Sequence, residues 1–225
     1  MRMCVASDFH GTLESVEAVK EFAIAEKVDC IVLVGDITNF GTVELAYKII
    51  NTLAQTKTPV LYVPGNCDPP ELAEAKEKDV NGFCLHGQGT RVKNIAFIGV
   101  GGSTPTPFET PFEISEKEIL KVLEKGLKDV AIQNGVVVSH SPPYDSNLDL
   151  TRMGVHAGSK SVRKFITEKN PALFLCGHIH EAKGLEKIGN TTCINVGPAQ
   201  SGDAAIIEID SVGGNVEYKP IFLFP

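Results

Sequence analysis

Side chains that can bind metals recur at the ends of short apolar segments in this sequence. Five such segments run directly into Asp, Asn or His, and the residues at these positions are Asp8, His10, Asp36, Asn66, His140, His178 and His180. Imidazole and carboxylate together suit zinc, iron, manganese or nickel, whereas calcium prefers oxygen ligands alone. Because seven ligands are too many for one four-coordinate ion, the set favours two ions that share a carboxylate.

Each of these short motifs also has an ordinary structural explanation when it is taken alone. Gly-Asp and Gly-Asn are common turn pairs, and a single His at the end of a strand more often makes a hydrogen bond than binds a metal. The repetition is what favours a joint site, since binding sites in open α/β sheets form at the carboxyl ends of the strands.

The elements that carry these residues alternate between strands and helices. Residues 2–7, 29–34 and 59–63 predict strands, and apolar residues recur at helical spacing in 13–23 and 45–53. This alternation predicts an α/β layered domain.

The second half of the chain continues the alternation of strands and helices and then consists of closely spaced strands. Ser115 followed by Glu118 predicts a capping box that starts a helix over about 115–125. A further helix is predicted over 160–169, and strands are predicted over 136–139, 172–176, 191–196, 204–209 and 216–221. The closely spaced last three strands predict a largely antiparallel sheet. The Pro/Gly/Thr-rich stretch 101–111 is either an ordinary surface loop or a loop that borders a site.

Length and apolar segments limit the possible classes of protein. With 225 residues the chain is long enough for one well-buried core and short for two, so we expect a single domain over residues 1–225. No apolar run approaches the roughly 20 residues that cross a bilayer. An export signal needs an apolar stretch of about 7–15 residues, which the charge at Asp8 interrupts. We therefore expect a cytoplasmic protein without a membrane partner.

Cysteine usage and charge exclude further classes. Five cysteines lie in or beside apolar segments and are predicted to be core residues: Cys4, Cys30, Cys84, Cys176 and Cys193. The absence of a Cys-x-x-Cys pair leaves a thiolate zinc site or a redox motif without support. The net charge of −7 disfavours a broad grip on extended nucleic acid. A small phosphorylated substrate, such as a nucleotide, would need locally concentrated positive charge.

The order of the polar motifs resembles that of the calcineurin-like metallophosphoesterases. The motifs are Asp-x-His, Gly-Asp, Gly-Asn-x-Asp, an isolated His and Gly-His-x-His, and the resemblance extends from Met1 to about Gly202. It implies a four-layer αββα sandwich, with two mixed β-sheets face to face and helices outside. It also implies one metal held by Asp8, His10, Asp36 and His180, and a second held by Asp36, Asn66, His140 and His178. Asp36 would bridge the two ions.

The resemblance implies an enzyme that hydrolyses phosphate monoesters or diesters, with a leaning toward phosphodiesters. Two ions about 3.5–4 Å apart can turn a shared water into hydroxide near neutral pH and hold the phosphoryl oxygens during in-line attack. The alternative is a catalytically weak scaffold or metal-binding interaction protein, and metal storage or sensing is a weaker third. The sequence leaves open the substrate, the oligomeric state and the choice among manganese, iron, zinc and nickel.

Two positions depart from the family pattern. The family often has a His after Gly-Asn that contacts the phosphate and helps the leaving group depart, and Cys67 stands there in this chain. Asn39 replaces a family Asp, and we expect little effect because its amide still forms hydrogen bonds. Two residues are candidates to replace the family's histidine in helping the leaving group depart, Cys67 itself and His156. His156 is either a solvated loop residue or a phosphate contact near a helix start, and His86 is predicted to be structural.

Overall fold

The computed structural model describes residues 1–76, 79–210 and 214–224. Its strands are β1 (Arg2–Ala6), β2 (Cys30–Val34), β3 (Val60–Val63), β4 (Phe83–Cys84), β5 (Gly89–Val92), β6 (Ile95–Val100), β7 (Val136–Ser139), β8 (Leu173–Cys176), β9 (Gly184–Ile188), β10 (Thr191–Asn195), β11 (Asp203–Ile209) and β12 (Val216–Phe222). Its helices are α1 (Leu13–Ala25), α2 (Val43–Ala54), α3 (Glu116–Gly126) and α4 (Lys160–Lys169). Among the described residues, no helix is long and apolar enough to span a membrane.

The strands form two mixed sheets of six strands each. The first sheet has the order β12-β11-β1-β2-β3-β4, and the second has the order β5-β6-β7-β8-β10-β9. Strands β1 to β4 are parallel to one another, as are β6, β7, β8 and β10. Antiparallel strands complete both sheets, with β11 and β12 in the first and β5 and β9 at the two edges of the second. Each sheet therefore has a parallel centre, where the carboxyl ends of several strands meet at one edge.

Alternating side chains on the strands bind four layers together. In β1, Cys4 packs against helices α1 and α2 in one cluster, whereas Val5 faces the second sheet in another. In β7, Val136 belongs to that same central cluster and Val137 packs toward α3 and α4. Because successive side chains in a strand point to opposite faces, fully apolar strands such as these must be covered on both sides. The result is the predicted αββα sandwich.

The helix boundaries follow from capping side chains. Ser115 and Glu118 form both bonds of the predicted capping box at α3. At α4 the hydroxyl of Ser159 accepts a bond from the Val162 amide. The Glu116 carboxylate of α3 also accepts bonds from the amides of Lys160 and Ser161. Helix α3 therefore fixes where α4 begins, which also fixes the end of the loop between β7 and α4.

All the predicted strands and helices are present, with bounds within about two residues. Among the described residues the structure adds four strands, β4, β5, β6 and β9. The expectation of a largely antiparallel carboxyl-terminal part is correct for β11 and β12. It is correct on only one side of β10, which pairs antiparallel with β9 and parallel with β8. Pairing direction depends on which strand lies alongside in space, and local spacing does not encode that. Residues 211–213 lie between β11 and β12, outside the described residues.

Candidate metal centre

The parallel strands of the two sheets deliver the seven predicted ligands to one place. Asp8, Asp36 and Asn66 follow β1, β2 and β3 of the first sheet. His140 follows β7 of the second sheet, and its Nδ1 lies 2.8 Å from the carbonyl oxygen of Val34 in the first. This contact joins the carboxyl edges of the two sheets, so ligands from both lie side by side.

One group of ligands surrounds the carboxylate of Asp8. His180 Nε2 lies 3.3 Å from Asp8 Oδ1, and His10 Nε2 lies 4.0 Å from the same oxygen. The two imidazole Nε2 atoms are 3.3 Å apart. His10 Nε2 is also 3.7 Å from Asp36 Oδ2. Asp8, His10, Asp36 and His180 therefore lie together, as the first predicted metal set requires.

The second group lies on the other side of Asp36. His140 Nε2 is 3.4 Å from Asp36 Oδ1 and 2.9 Å from Asn66 Oδ1. The rings of His140 and His178 approach edge to face, with centroids 5.0 Å apart. Asp36 thus faces His10 with one oxygen and His140 with the other, which is the geometry that a bridging carboxylate needs. The division of ligands between two ions stays a prediction.

The charges at this site fit divalent cations. Asp8 and Asp36 are almost fully buried, and the ion pairs recorded for them among the described residues are with histidines. Burial of carboxylates is costly unless a cation compensates them. The two facing Nε2 atoms of His10 and His180 also need a proton or a cation between them. Mixed nitrogen and oxygen donors in this arrangement suit transition metals.

The pKa values show what the site does without metal. Burial opposes charge on His140, yet Asp36 raises the pKa of His140 to about 9. Burial would raise the pKa of Asp36, but neighbouring His140 holds it well below its usual value. Burial and the charge on His140 lower the pKa of His178 to about 4. If His140 binds a metal ion, as the resemblance predicts, its proton must be displaced, and metal affinity would then fall in acid.

Four of the seven predicted ligands have left-handed backbone conformations. The φ angles of Asp8, His10, Asp36 and His178 are 55°, 45°, 46° and 68°. Such angles are uncommon for residues with a side chain, and they cluster at functional sites where the surrounding structure holds them in place. The chain turns sharply as it leaves each strand, and this turn brings the ligand side chains together.

Glycines next to the ligands allow the loops to approach closely. A Cβ on Gly65 would collide with Asp36, and a Cβ on Gly177 would collide with Ser7 and Asp8. The Gly-Asn and Gly-His pairs of the sequence therefore have a steric reason, because only glycine leaves room for the ligands beside it.

Asp68 holds two of the ligand loops together. Its buried carboxylate accepts bonds from the amides of Ile37, Thr38 and Gly65, and from the Thr38 hydroxyl. The loop that carries Asp36 and the loop that carries Asn66 are therefore fixed to each other. The Asp of Gly-Asn-x-Asp signals this role in the sequence, although it was not predicted as a site residue.

Cys67 lies inside the cluster but is a poor proton donor. Its sulfur lies within 4.8 Å of a His10 nitrogen and an Asp36 oxygen, and its amide donates to Asp36 Oδ1 at 2.8 Å. Burial and the nearby Asp36 carboxylate raise the pKa of the thiol. General acids work best with a pKa near the operating pH, so this thiol is badly matched to donation near neutrality.

A cavity of about 680 Å³ opens onto the ligands. Asn66, His178 and His180 line it, together with residues 104–108 and 155–158. Of the two alternatives predicted for the stretch 101–111, the structure therefore supports a loop that borders the candidate site. His156 lies in the wall of the same cavity.

Two other polar residues lie outside the cluster. Asn39 is exposed, and the small effect expected of its replacement stays a prediction. His86 packs against Phe112 and accepts a hydrogen bond on Nδ1 from the Gly101 amide at 3.0 Å, as its predicted structural role requires.

All six cysteines are free and buried, and five are in the predicted core positions.

Comparison with known proteins identifies the family. The model of the calcineurin-like phosphoesterases matches residues 1–182. An uncharacterized protein of Methanocaldococcus jannaschii is 39% identical over 207 residues, which cover 88% of each chain. TT1561 of Thermus thermophilus superposes with a TM-score of 0.75 at 22% identity over 99% of both chains. A dimetal phosphatase from Danio rerio superposes with a TM-score of 0.65 at 12% identity, over 100% of this chain and 96% of its own. The family match spans most of the sequence and includes all seven clustered polar residues, and the chain belongs to the calcineurin-like phosphoesterases.

Proposed function

We propose that this protein is a hydrolase of small phosphate esters that uses two divalent transition-metal ions. The observation that carries the proposal is the position of Asp36, whose two oxygens face His10 on one side and His140 on the other. Two bound ions would supply an activated water and neutralise the charge of the phosphoryl group. The resemblance to a dimetal phosphatase in fold supports the same chemistry.

The residues of the chain have separate roles in this proposal. Asp8, His10, Asp36 and His180 would hold one ion, and Asp36, Asn66, His140 and His178 would hold the other. Asp68 fixes the loops of Asp36 and Asn66, so the spacing of the ligands is set before metal binds. The cavity above the ligands accommodates a small ester, and manganese is the first metal to try.

A scaffold is the competing function. Replacement of the family's histidine by Cys67 favours it, because a phosphate contact is lost. The complete set of clustered ligands, with the backbone strain that positions them, favours hydrolysis. Strain of this kind is retained where a specific geometry is needed.

Metal analysis combined with turnover separates these functions. The protein should bind about two ions and hydrolyse p-nitrophenyl phosphate or bis-p-nitrophenyl phosphate with manganese added. Two tightly bound ions without turnover of either ester, or of cyclic nucleotides, dinucleotides and pyrophosphates, would contradict the proposal and support the scaffold.

The proposal also covers the cellular location of the protein and its binding partners. Six free cysteines fit a reducing compartment, so we place the protein in the cytoplasm. The acidic chain makes extended nucleic acid an unfavourable partner. Cell fractionation and a binding assay with duplex DNA at low salt test these two statements.

A further inference from the structure

A second polar cluster lies beside the ligands, in the loop between β7 and α4. Asp149 is fully buried, and its Oδ1 lies 2.7 Å from His156 Nδ1. The carboxylate also accepts bonds from the amides of Ser146, at 2.9 Å, and Gly158, at 3.0 Å. Asp145 donates a longer amide bond of 3.2 Å. A buried carboxylate with this many donors is held in one orientation.

The orientation of Asp149 determines the state of His156. A carboxylate only accepts hydrogen bonds, so His156 Nδ1 carries a hydrogen and Nε2 is the nitrogen that gains or loses a proton. Asp145 Oδ1 is 3.7 Å from Nε2, beyond hydrogen-bond distance, and the His156 side chain is 32% exposed. Nε2 can therefore exchange protons with solvent.

The cavity connects His156 with the candidate ligands. His156 lines it together with Asn66, His178 and His180. An ester whose phosphate lay against the ligands would extend its alcohol portion into the space that His156 borders. Cys67, which replaces the family's histidine, has a raised thiol pKa and leaves the leaving oxygen without a suitable donor.

From this geometry we infer that Asp149 and His156 form a proton-donating pair, in which His156 protonates the leaving oxygen and Asp149 positions and charges the imidazole. The inference rests on the proposed function. The water oxygen forms the new bond to phosphorus and releases a proton to solvent, while the bond to the leaving oxygen breaks. The electron pair of that bond goes to the leaving oxygen, which takes the proton from His156 Nε2. Solvent then returns a proton to the exposed imidazole. The substrates that need this pair are esters of poor leaving groups, such as alkyl alcohols and sugars.

The surroundings of His156 favour the charged form that a donor needs. The hydrogen bond to Asp149 raises the pKa of His156, and Asp145 adds to the effect. Tyr144 packs against the ring at 5.8 Å between centroids. Arg152, Glu181, His178 and His180 also line the cavity. More of the imidazole is therefore protonated near neutral pH than in a free histidine.

The test compares leaving groups in the metal-loaded full-length protein. His156→Ala should lower kcat/KM for an alkyl or phenyl ester by about 10²-fold or more, the usual contribution of a general acid. It should change kcat/KM for the matching p-nitrophenyl ester by less than about threefold, because p-nitrophenolate departs without a proton. In the wild type, kcat/KM for the alkyl ester should decrease at high pH as His156 loses its proton. This basic limb of the pH profile should be absent in His156→Ala.

Asp149→Asn tests the positioning role. The neutral amide removes the charge that raises the pKa of His156, so the basic limb should move to lower pH. Since Asp149 is buried and this variant can fail to fold, His156→Gln on the more exposed side chain is the second variant, and it should behave as His156→Ala. Asp129→Asn, on an exposed carboxylate that also accepts an amide bond, is the matched control and should keep the wild-type profile.

The outcomes separate this inference from the proposed function. Equal losses for alkyl and p-nitrophenyl esters in His156→Ala would make His156 a phosphate contact and overturn the inference. The inference would also be overturned if His156→Ala left kcat/KM unchanged for both the alkyl and the p-nitrophenyl ester. In both cases hydrolysis by the wild type would leave the proposed function standing, whereas a wild type inactive on every ester would refute the proposed function itself.

Discussion

Asp36 is the residue on which both groups of candidate ligands depend. It faces His10 and His140 with different oxygens. In Asp36→Asn a neutral amide replaces the charge shared by both ions, so at least one metal should be lost and turnover should fall by more than about 10²-fold, as when a group acting on transition-state charge is removed. Metal content and p-nitrophenyl ester hydrolysis measure this. Asp129→Asn is the control, and two bound metals with near-normal turnover in Asp36→Asn would show that the site assignment is wrong.

The other histidines should separate the two metal sites. His140 lies beside Asn66, whereas His10 lies beside His180. In the proposed division of ligands each imidazole binds only one ion, so His140→Ala should weaken one site in a metal titration and His10→Ala should weaken the other. Calorimetric titration with manganese gives the two affinities. An equal loss at both sites in either variant would remove the support for the division of ligands.

Cys67 provides a test of how the missing family histidine is replaced. An imidazole at this position would lie near His10 and Asp36 and would supply a donor with an ordinary pKa of about 6.5. If His156 already donates, Cys67→His should change the alkyl-to-aryl ratio little in the wild-type background. In the His156→Ala background it should restore part of the alkyl-ester activity, measured as kcat/KM. A large gain in the wild-type background would show that the donor is absent from the native protein.

At the scale of elements, the sequence predicts strands and helices that carry a clear period or capping signal. The sequence predicts the capping box at Ser115 and the helix 160–169 because both depend on residues that are close together in the chain. Strand β4 has two residues and β5 is largely polar, so neither carries a strand signal. In contrast, β6 is a buried apolar run of six residues, a pattern that is typical of a core strand. The parallel pairing of β10 has no local sequence signal, because each residue of β10 pairs with a residue of β8 that lies 19 positions earlier in the chain.

Asn195 links the two loops that border the site. Its amide donates to the carbonyl oxygens of Leu148, at 3.3 Å, Gly177, at 3.3 Å, and Ile179, at 2.9 Å. Leu148 belongs to the loop of His156, and the other two flank His178. Asn195, at the end of β10, therefore joins these two loops through buried hydrogen bonds.

Asn195→Asp should loosen both loops. A carboxylate would face three carbonyl oxygens, and the cost of such unsatisfied buried groups is about 1–3 kcal/mol or more. We expect the free energy of unfolding in urea to fall by about 2 kcal/mol or more, and manganese affinity to fall with it. Asn190→Asp makes the same chemical change at an exposed turn position and should alter neither quantity. Equal effects in the two variants would contradict the role assigned to Asn195.

At the scale of the whole molecule, the sequence predicts which residues meet but little of how they are held. The seven candidate ligand residues follow the ends of strands, and parallel strands bring their carboxyl ends together at one edge of a sheet. The left-handed backbone has no sequence signature at Asp8, and at Asp36 its only signature is the preceding Gly35. Asp149 gives no signal either, because an aspartate seven residues before a histidine is common in loops. Its role depends on burial, which only the folded chain provides.

His86 makes the stability of the whole fold sensitive to acid at a position away from the ligands. Its Nδ1 accepts a bond from the Gly101 amide, and burial, with the charge of Lys125, lowers its pKa to about 4. In the unfolded chain the pKa is about 6.5, so the unfolded state binds a proton first as pH falls. Stability from the neutral imidazole is therefore present above pH 6.5 and is lost progressively between pH 6.5 and 4.

His86→Asn should reduce this sensitivity, because an amide oxygen can accept the same bond but does not titrate. From the two pKa values, the contribution lost by pH 5 is about 2 kcal/mol. Urea unfolding of the metal-free protein at pH 7 and pH 5 measures it, with chelator present so that metal release does not add its own pH dependence. The drop in unfolding free energy between these two pH values should be smaller in His86→Asn than in the wild type by about that amount. Carboxylates titrate equally in both proteins and cancel from the comparison, so an identical drop would show that His86 is not buried in its neutral form.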